Sequence, residues 1–164
     1  MAAKLAEPGA KGKADARGAA PMDLALAEAE AAQARGEVPV GAVVVNAQGE
    51  VLASAGNRTI EQRDPTAHAE LIAIREACAK LGSERLIGCD LYVTLEPCAM
   101  CAAAISFARI RRLYFGASDP KGGAVEHGPR LFAQATCHHA PEVYGGLSEA
   151  RASALLKDFF AARR

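Results

Sequence analysis

Apolar and polar positions change period several times along the chain, and each change marks an element. Residues 22–35, MDLALAEAEAAQAR, are rich in Ala, Leu and Glu and are followed by Gly36, which predicts a helix that stops there. GAVVVNAQGEVLASAG (41–56) is an apolar run, a turn at Ala47-Gln48-Gly49 and a second short run, the pattern of a β-hairpin. After the polar loop NRTIEQRD, Asp64-Pro65-Thr66 reads as a helix start, with an N-cap residue ahead of a proline. Leu71, Ile74, Cys78 and Leu81 then share one face, and Gly82 closes that helix.

The second half continues the alternation of strand and helix. DLYVTLE (90–96) alternates and is β-rich, which predicts a central strand running into a small-residue helix opened by Pro97. RLYFGA (112–117) is another strand, a Gly/Pro/His loop covers roughly 118–141, and EVYGG adds an edge strand. SEARASALLKDFFAARR ends the chain as a helix with Ser148 at its N-cap. This order predicts an α/β fold: three layers, α/β/α, around a mixed, roughly five-stranded sheet.

Composition changes the picture only at the edges. With 164 residues, 51% of them hydrophobic, the chain suits one domain over 22–164, and the aperiodic Ala/Gly/Lys lead-in over 1–21 is expected to be a disordered tail. No run reaches the ~18 apolar residues of a membrane span, and the lead-in lacks the apolar centre of a secretory signal. Five cysteines, an odd number, argue against a disulfide framework and for a reducing, cytoplasmic setting. Net charge is zero, but residues 22–108 carry six Lys/Arg against twelve Asp/Glu whereas 109–164 carry nine against five. Any nucleic-acid contact is therefore expected as a local patch in the C-terminal third.

The chemistry-bearing residues stand at two helix starts. His68 and Glu70 lie at one; Cys98 and Cys101 lie at the other, a Cys-x-x-Cys whose sulfurs fall within one turn. Backbone N–H groups at a helix start favour thiolates, and one imidazole with two thiolates is a zinc ligand set that leaves a fourth position for water. Three other readings exist: a redox Cys-x-x-Cys, a hydrogen-bonding histidine, or a structural zinc completed from Cys137-His138-His139. Glu70 favours the catalytic reading, since two residues beyond the histidine it can face a bound water without ligating the metal.

Together, His68-Ala69-Glu70 and Pro97-Cys98-Ala99-Met100-Cys101 fill the H-x-E…P-C-x-x-C pattern of zinc-dependent base deaminases. Beyond that pattern, EVPVGAVVV, GNRT, DPTAHAE, LYVTLEPCAMC, the FGASDPKGG loop and LLKDFF resemble bacterial tRNA-specific adenosine deaminases from Met22 to Arg164. The resemblance implies a cytidine-deaminase-like fold, one Zn²⁺ per subunit on His68, Cys98 and Cys101, and Glu70 as the catalytic proton shuttle. It implies a tRNA anticodon stem-loop as partner, deaminated at the wobble adenosine (of an arginine tRNA), and a homodimer. It further implies substrate contacts from Asn57, the backbone N–H of Ala69, the apolar residues Val38, Leu95, Pro97 and Phe160, and the loop residues Asp119 and Lys121. Ser118 departs from the pattern, standing where many relatives carry a basic residue. Two alternatives share the scaffold: a small-molecule guanine deaminase, which carries similar motifs, and an inactive zinc-stabilised RNA-binding module.

Overall fold

The computed structural model describes residues 16–163. A helix α1 (Ala16–Ala34) precedes a hairpin of β1 (Gly41–Val45) and β2 (Val51–Gly56), and then come α2 (Ala69–Leu81), β3 (Asp90–Leu95) and α3 (Ala99–Phe107). The chain finishes with β4 (Arg112–Ala117), a 3₁₀ turn at Leu131–Ala133, β5 (Glu142–Gly145) and α4 (Glu149–Ala161). The five strands form one sheet in the order β2-β1-β3-β4-β5, with β1 antiparallel to both neighbours and β3, β4 and β5 mutually parallel. This is the expected mixed sheet, including the edge strand at EVYG.

Period-two alternation sorts the strands' side chains between two cores. Val43, Val45 and Tyr92 pack with Met22 and Leu26 of α1 and Ala152 of α4. Their strand neighbours Ala42, Val44, Leu91 and Val93 pack on the opposite face with Ile72 and Ala73 of α2 and Ile105 of α3. Helices therefore cover both faces, and the three layers follow. On the first face α1 lies so close that a Cβ on Gly41 would run into the carbonyl oxygen of Ala25, and one on its cross-strand partner Gly56 would lie 2.7 Å from that of Glu28. Glycine is required at both by this approach of helix backbone to strand. At the other edge, Tyr92, Tyr114 and Tyr144 stand side by side in register, with ring centroids 4.4 and 5.0 Å apart. Stacked aromatic pairs of this kind each add about 0.5–1.5 kcal/mol beyond burial, which helps hold the four-residue β5 on the sheet.

Three helix starts differ from expectation. Helix α1 begins at Ala16, six residues before the expected start at Met22; residues 1–15 lie outside the described residues. Helix α2 begins at Ala69, with His68 as its N-cap, because Asp64 is occupied earlier: its Oδ1 accepts from the N–H and hydroxyl of Thr66 at 2.8 and 2.7 Å, closing a separate turn. Likewise α3 begins at Ala99 with Cys98 as N-cap, one residue beyond Pro97. Ser148 does precede α4, but it sits in the left-handed region (φ 55°) and its hydroxyl makes no cap bond.

Candidate active site and metal centre

Both metal-ligand candidates that begin helices occupy N-cap positions, and neither caps its own helix. An N-cap side chain ordinarily accepts from the first-turn N–H groups. Here the extended backbones of His68 (φ −74°, ψ 149°) and Cys98 (φ −71°, ψ 174°) turn the side chains towards each other instead. His68 Nδ1 lies 3.6 Å from Cys98 Sγ and 3.5 Å from Cys101 Sγ, and the three ligand atoms lie within 4.8 Å of one another. Zn–S bonds of ~2.3 Å and a Zn–N bond of ~2.0–2.1 Å at a tetrahedral angle require N···S separations of about 3.6 Å, so the donor set fits zinc in both chemistry and spacing. Among the described residues no other group of three such side chains converges.

Electrostatics at the centre follow from this crowding. The Cys101 thiol, hydrogen-bonded to Cys98, and the adjacent His68 hold the Cys98 thiol down to about 4 despite burial. The same Cys98 sulfur, together with burial, pushes Cys101 up, and it raises the His68 imidazole. A metal-free centre thus shares one thiolate between two sulfurs, and a dication satisfies both. Glu70, in the first turn of α2, is 4% exposed, and burial raises its carboxyl above the usual range. A carboxyl raised in this way can take up and release a proton during turnover.

The missing cap of α2 is supplied from another segment. Asn57, at the end of the hairpin, accepts the Ala69 N–H on its Oδ1 at 2.8 Å. Asn57 is itself held by its own N–H to the Val40 carbonyl (3.1 Å) and by Arg35 Nη2 to its carbonyl (3.2 Å). With Oδ1 committed, its Nδ2 is the end left to donate to a ligand. The Ala69 N–H, expected from the resemblance to orient the base, is here engaged by Asn57 and acts on the site through it.

The sequence model of the cytidine and deoxycytidylate deaminase zinc-binding region matches residues 18–117. The chain belongs to the cytidine and deoxycytidylate deaminase family. It is 64% identical over 143 residues to the tRNA-specific adenosine deaminase of Agrobacterium fabrum, covering 87% of this chain and 93% of that protein. The enzyme of the same description from Bacillus subtilis is 46% identical over 140 residues, covering 85% and 86%. Among solved structures, a chain from structural studies of A-to-I editing by tRNA:A34 deaminases at the wobble position of transfer RNA is 65% identical, with a TM-score of 0.82 over 84% of this chain and 99% of that one. A guanine deaminase from Nitrosomonas europaea superposes with a TM-score of 0.75 at 27% identity, over 90% and 86%.

The remaining expected contacts of this deaminase divide by layer. Val38 is half-buried on the core beneath α2 and α3, Leu95 is half-buried and packs against both cores, and Pro97 is buried between Glu96 and Cys98. Asp119 is half-buried and Lys121 exposed, in the loop after β4. Phe160 belongs to α4, on the opposite face of the sheet, and is 49% exposed, whereas Phe159 beside it is buried. The Phe159 and Phe160 rings meet edge to face at 5.2 Å, and the Arg163 guanidinium lies 3.4 Å over Phe159. Among the described residues, the Cys137-His138-His139 segment joins no group of three metal-ligating side chains. Cys137 Sγ meets Ser106 Oγ and the His139 carbonyl, and His139 Nε2 donates to the Ile110 carbonyl at 2.7 Å, which ties this loop to the end of α3.

Three buried carboxylates escaped the sequence reading: Asp90, which pairs with Arg111, and two that brace loops. Glu37 accepts from the N–H groups of Ile60 (3.1 Å) and Glu61 (2.9 Å), bracing the loop that follows Asn57. Glu96, at the end of β3, accepts from Asp119, Val125, Glu126 and His127. The available signal was a charged residue set into each otherwise apolar or proline-bounded stretch, EVPV and TLEPC.

Proposed function

We infer that this deaminase converts adenosine to inosine at the wobble position of a tRNA anticodon, releasing ammonia. The observation that carries the reading is the buried, raised carboxyl of Glu70 beside a three-ligand zinc centre and a donor-presenting Asn57. Identity of 64–65% to tRNA adenosine deaminases, against 27% to a guanine deaminase, supports adenosine in RNA over free guanine.

Zinc held by His68, Cys98 and Cys101 would supply a Lewis acid that brings the pKa of water towards neutrality. Glu70 would accept a proton from the attacking water and pass it to N1 of the adenine as the C6–O bond forms. Glu70 then accepts the second proton and gives it to the exocyclic amine, which departs as ammonia and leaves the carbonyl of inosine. Asn57 Nδ2 donates to an acceptor on the purine edge and so fixes the ring against Glu70. Val38, Leu95 and Pro97 exclude water around the flipped base. Asp119, Lys121 and the exposed ring of Phe160 contact the flanking nucleotides of the anticodon loop, where unpaired bases are cheaply extruded.

Resemblance to the family supports three finer assignments: an arginine tRNA as substrate, a cytoplasmic setting and a homodimer. No helix of the described residues is long and apolar enough to cross a membrane. The exposed Phe107 on α3, beside a shallow groove floored by Ala103, Leu131 and Cys137, supports the subunit contact. Light scattering tests the dimer. The activity is tested by ammonia release from a stem-loop carrying adenosine at the wobble position, compared with guanine and cytidine. Release from guanine alone overturns the reading; binding of the stem-loop without release makes the chain an RNA-binding module. Glu70→Ala is expected to keep zinc near one per subunit and to abolish release.

A further inference from the structure

We propose that Glu96 is a positioning residue, whose carboxylate pins both ends of the loop after β4 to the start of the metal-binding helix and so sets where Asp119 and Lys121 meet the substrate. The proposal rests on the reading of the substrate as a tRNA anticodon loop. Glu96 is 2% exposed, in a position where an unpaired carboxylate would be costly. Its Oε1 accepts the Asp119 N–H at 3.1 Å and His127 Nδ1 at 2.7 Å. Its Oε2 accepts the N–H groups of Val125 (3.3 Å), Glu126 (3.1 Å) and His127 (3.2 Å). The donors come from position 119 and from 125–127, so one carboxylate gathers two loop segments that are not adjacent in sequence.

Geometry around this clasp leaves the loop little freedom. Gly123 passes so near that a Cβ there would collide with the Glu96 carboxylate and stand 2.5 Å from the Asp119 carbonyl. A second tie runs from the Ala124 N–H to the Pro97 carbonyl at 2.9 Å, and a third from the Glu96 N–H to the Ala117 carbonyl at 2.8 Å. Asp119 folds its own side chain back, Oδ1 accepting from Lys121 (3.2 Å) and Gly122 (2.9 Å), which rigidifies the turn that carries Lys121. Glu96-Pro97-Cys98 therefore holds the loop with its first two residues and the metal with its third. Displacement of the loop relative to the metal centre requires breaking several of these bonds together. Carboxylate chemistry is specific here: five donors need two acceptor oxygens, and a carboxamide offers one oxygen and aims an NH₂ at the other donors.

The test uses the zinc-loaded full chain, the anticodon stem-loop with a wobble adenosine, and the variants Glu96→Gln, His127→Ala and His127→Asn. Glu96→Gln is expected to raise KM on the order of tenfold, the equivalent of one charge-assisted hydrogen bond, with kcat within a few-fold of the parent and zinc near one per subunit. His127→Ala is expected to raise KM by roughly threefold, and His127→Asn to restore it, because Asn Nδ2 reaches the place of His Nδ1. Hydrogen exchange without RNA is expected to show lost protection at 119 and 125–127 in Glu96→Gln. Unchanged KM in both Glu96→Gln and His127→Ala, with only a lowered Tm, overturns the proposal in favour of a purely structural brace. Loss of zinc from Glu96→Gln with KM unaltered in His127→Ala overturns it too, since Glu96 then acts on the metal helix. A parent enzyme inert towards the stem-loop removes the substrate reading. Unaltered exchange at 119 and 125–127 removes the clasp itself, whichever substrate is used.

Discussion

Glu70 and Glu96 are the same side chain at nearly the same burial, 4% and 2% exposed, yet their surroundings drive them in opposite directions. Burial raises the Glu70 carboxyl. Burial also opposes ionisation of Glu96, but the N–H groups of Asp119, Glu126 and Val125 and the His127 ring outweigh it and hold that carboxyl below its usual range. The first has the chemistry of a proton carrier, the second that of a fixed anion. Burial alone assigns neither role; the count of converging donors does.

The comparison breaks first at chemistry. Glu70→Gln preserves shape and removes the proton carrier, so kcat is expected to fall by about 10³-fold or more while zinc content and Tm stay at parent values. A Tm drop with little loss of kcat would make Glu70 a structural group and not a proton carrier. The mirror experiment, Glu96→Ala, leaves several N–H groups without a partner, and a loss of about 3–5 kcal/mol is expected, read as a fall of roughly 10 °C in Tm. An unchanged melting curve would show that water replaces the clasp.

Smaller effects sharpen the distinction. Asn57→Asp keeps the oxygen that caps Ala69 and removes the donor, so a loss in kcat/KM of about 10²-fold with little change in Tm is expected from steady-state kinetics and thermal melts. Equal losses in Tm and activity would place its role in capping α2. On α4, Phe159→Ala is expected to cost about 3–5 kcal/mol of stability, whereas Phe160→Ala should shift Tm by less than about 2 °C and weaken binding of the stem-loop.

Much of this was legible before any fold was known. DPTAHAEL and PCAMC pick out the candidate ligands and the proposed proton carrier because metal and proton chemistry demand particular atoms at short spacings, and short spacings survive in sequence. Helix starts were misjudged at both sites for local reasons: Asp64, predicted to cap, is used for its own turn, and the helix expected to open at Pro97 begins at Ala99, with Cys98 at the N-cap and its sulfur turned to the centre. Phe159 and Phe160, alike in sequence, separate only when α4 is laid on the sheet.

The sequence by itself therefore determined the candidate chemistry: which side chains are of the type that binds zinc, which carboxyl stands two residues from the histidine, and the alternation that layers helices on a mixed sheet. Tertiary structure alone decided the protonation environments and the bracing. Asn57 supplies the cap of a helix twelve residues away, and Glu96 collects donors from 23 to 31 positions downstream. Such bonds depend on where loops return in space. No local period encodes that return, because it is set by the close packing of the layers and by the requirement that every buried donor and acceptor find a partner.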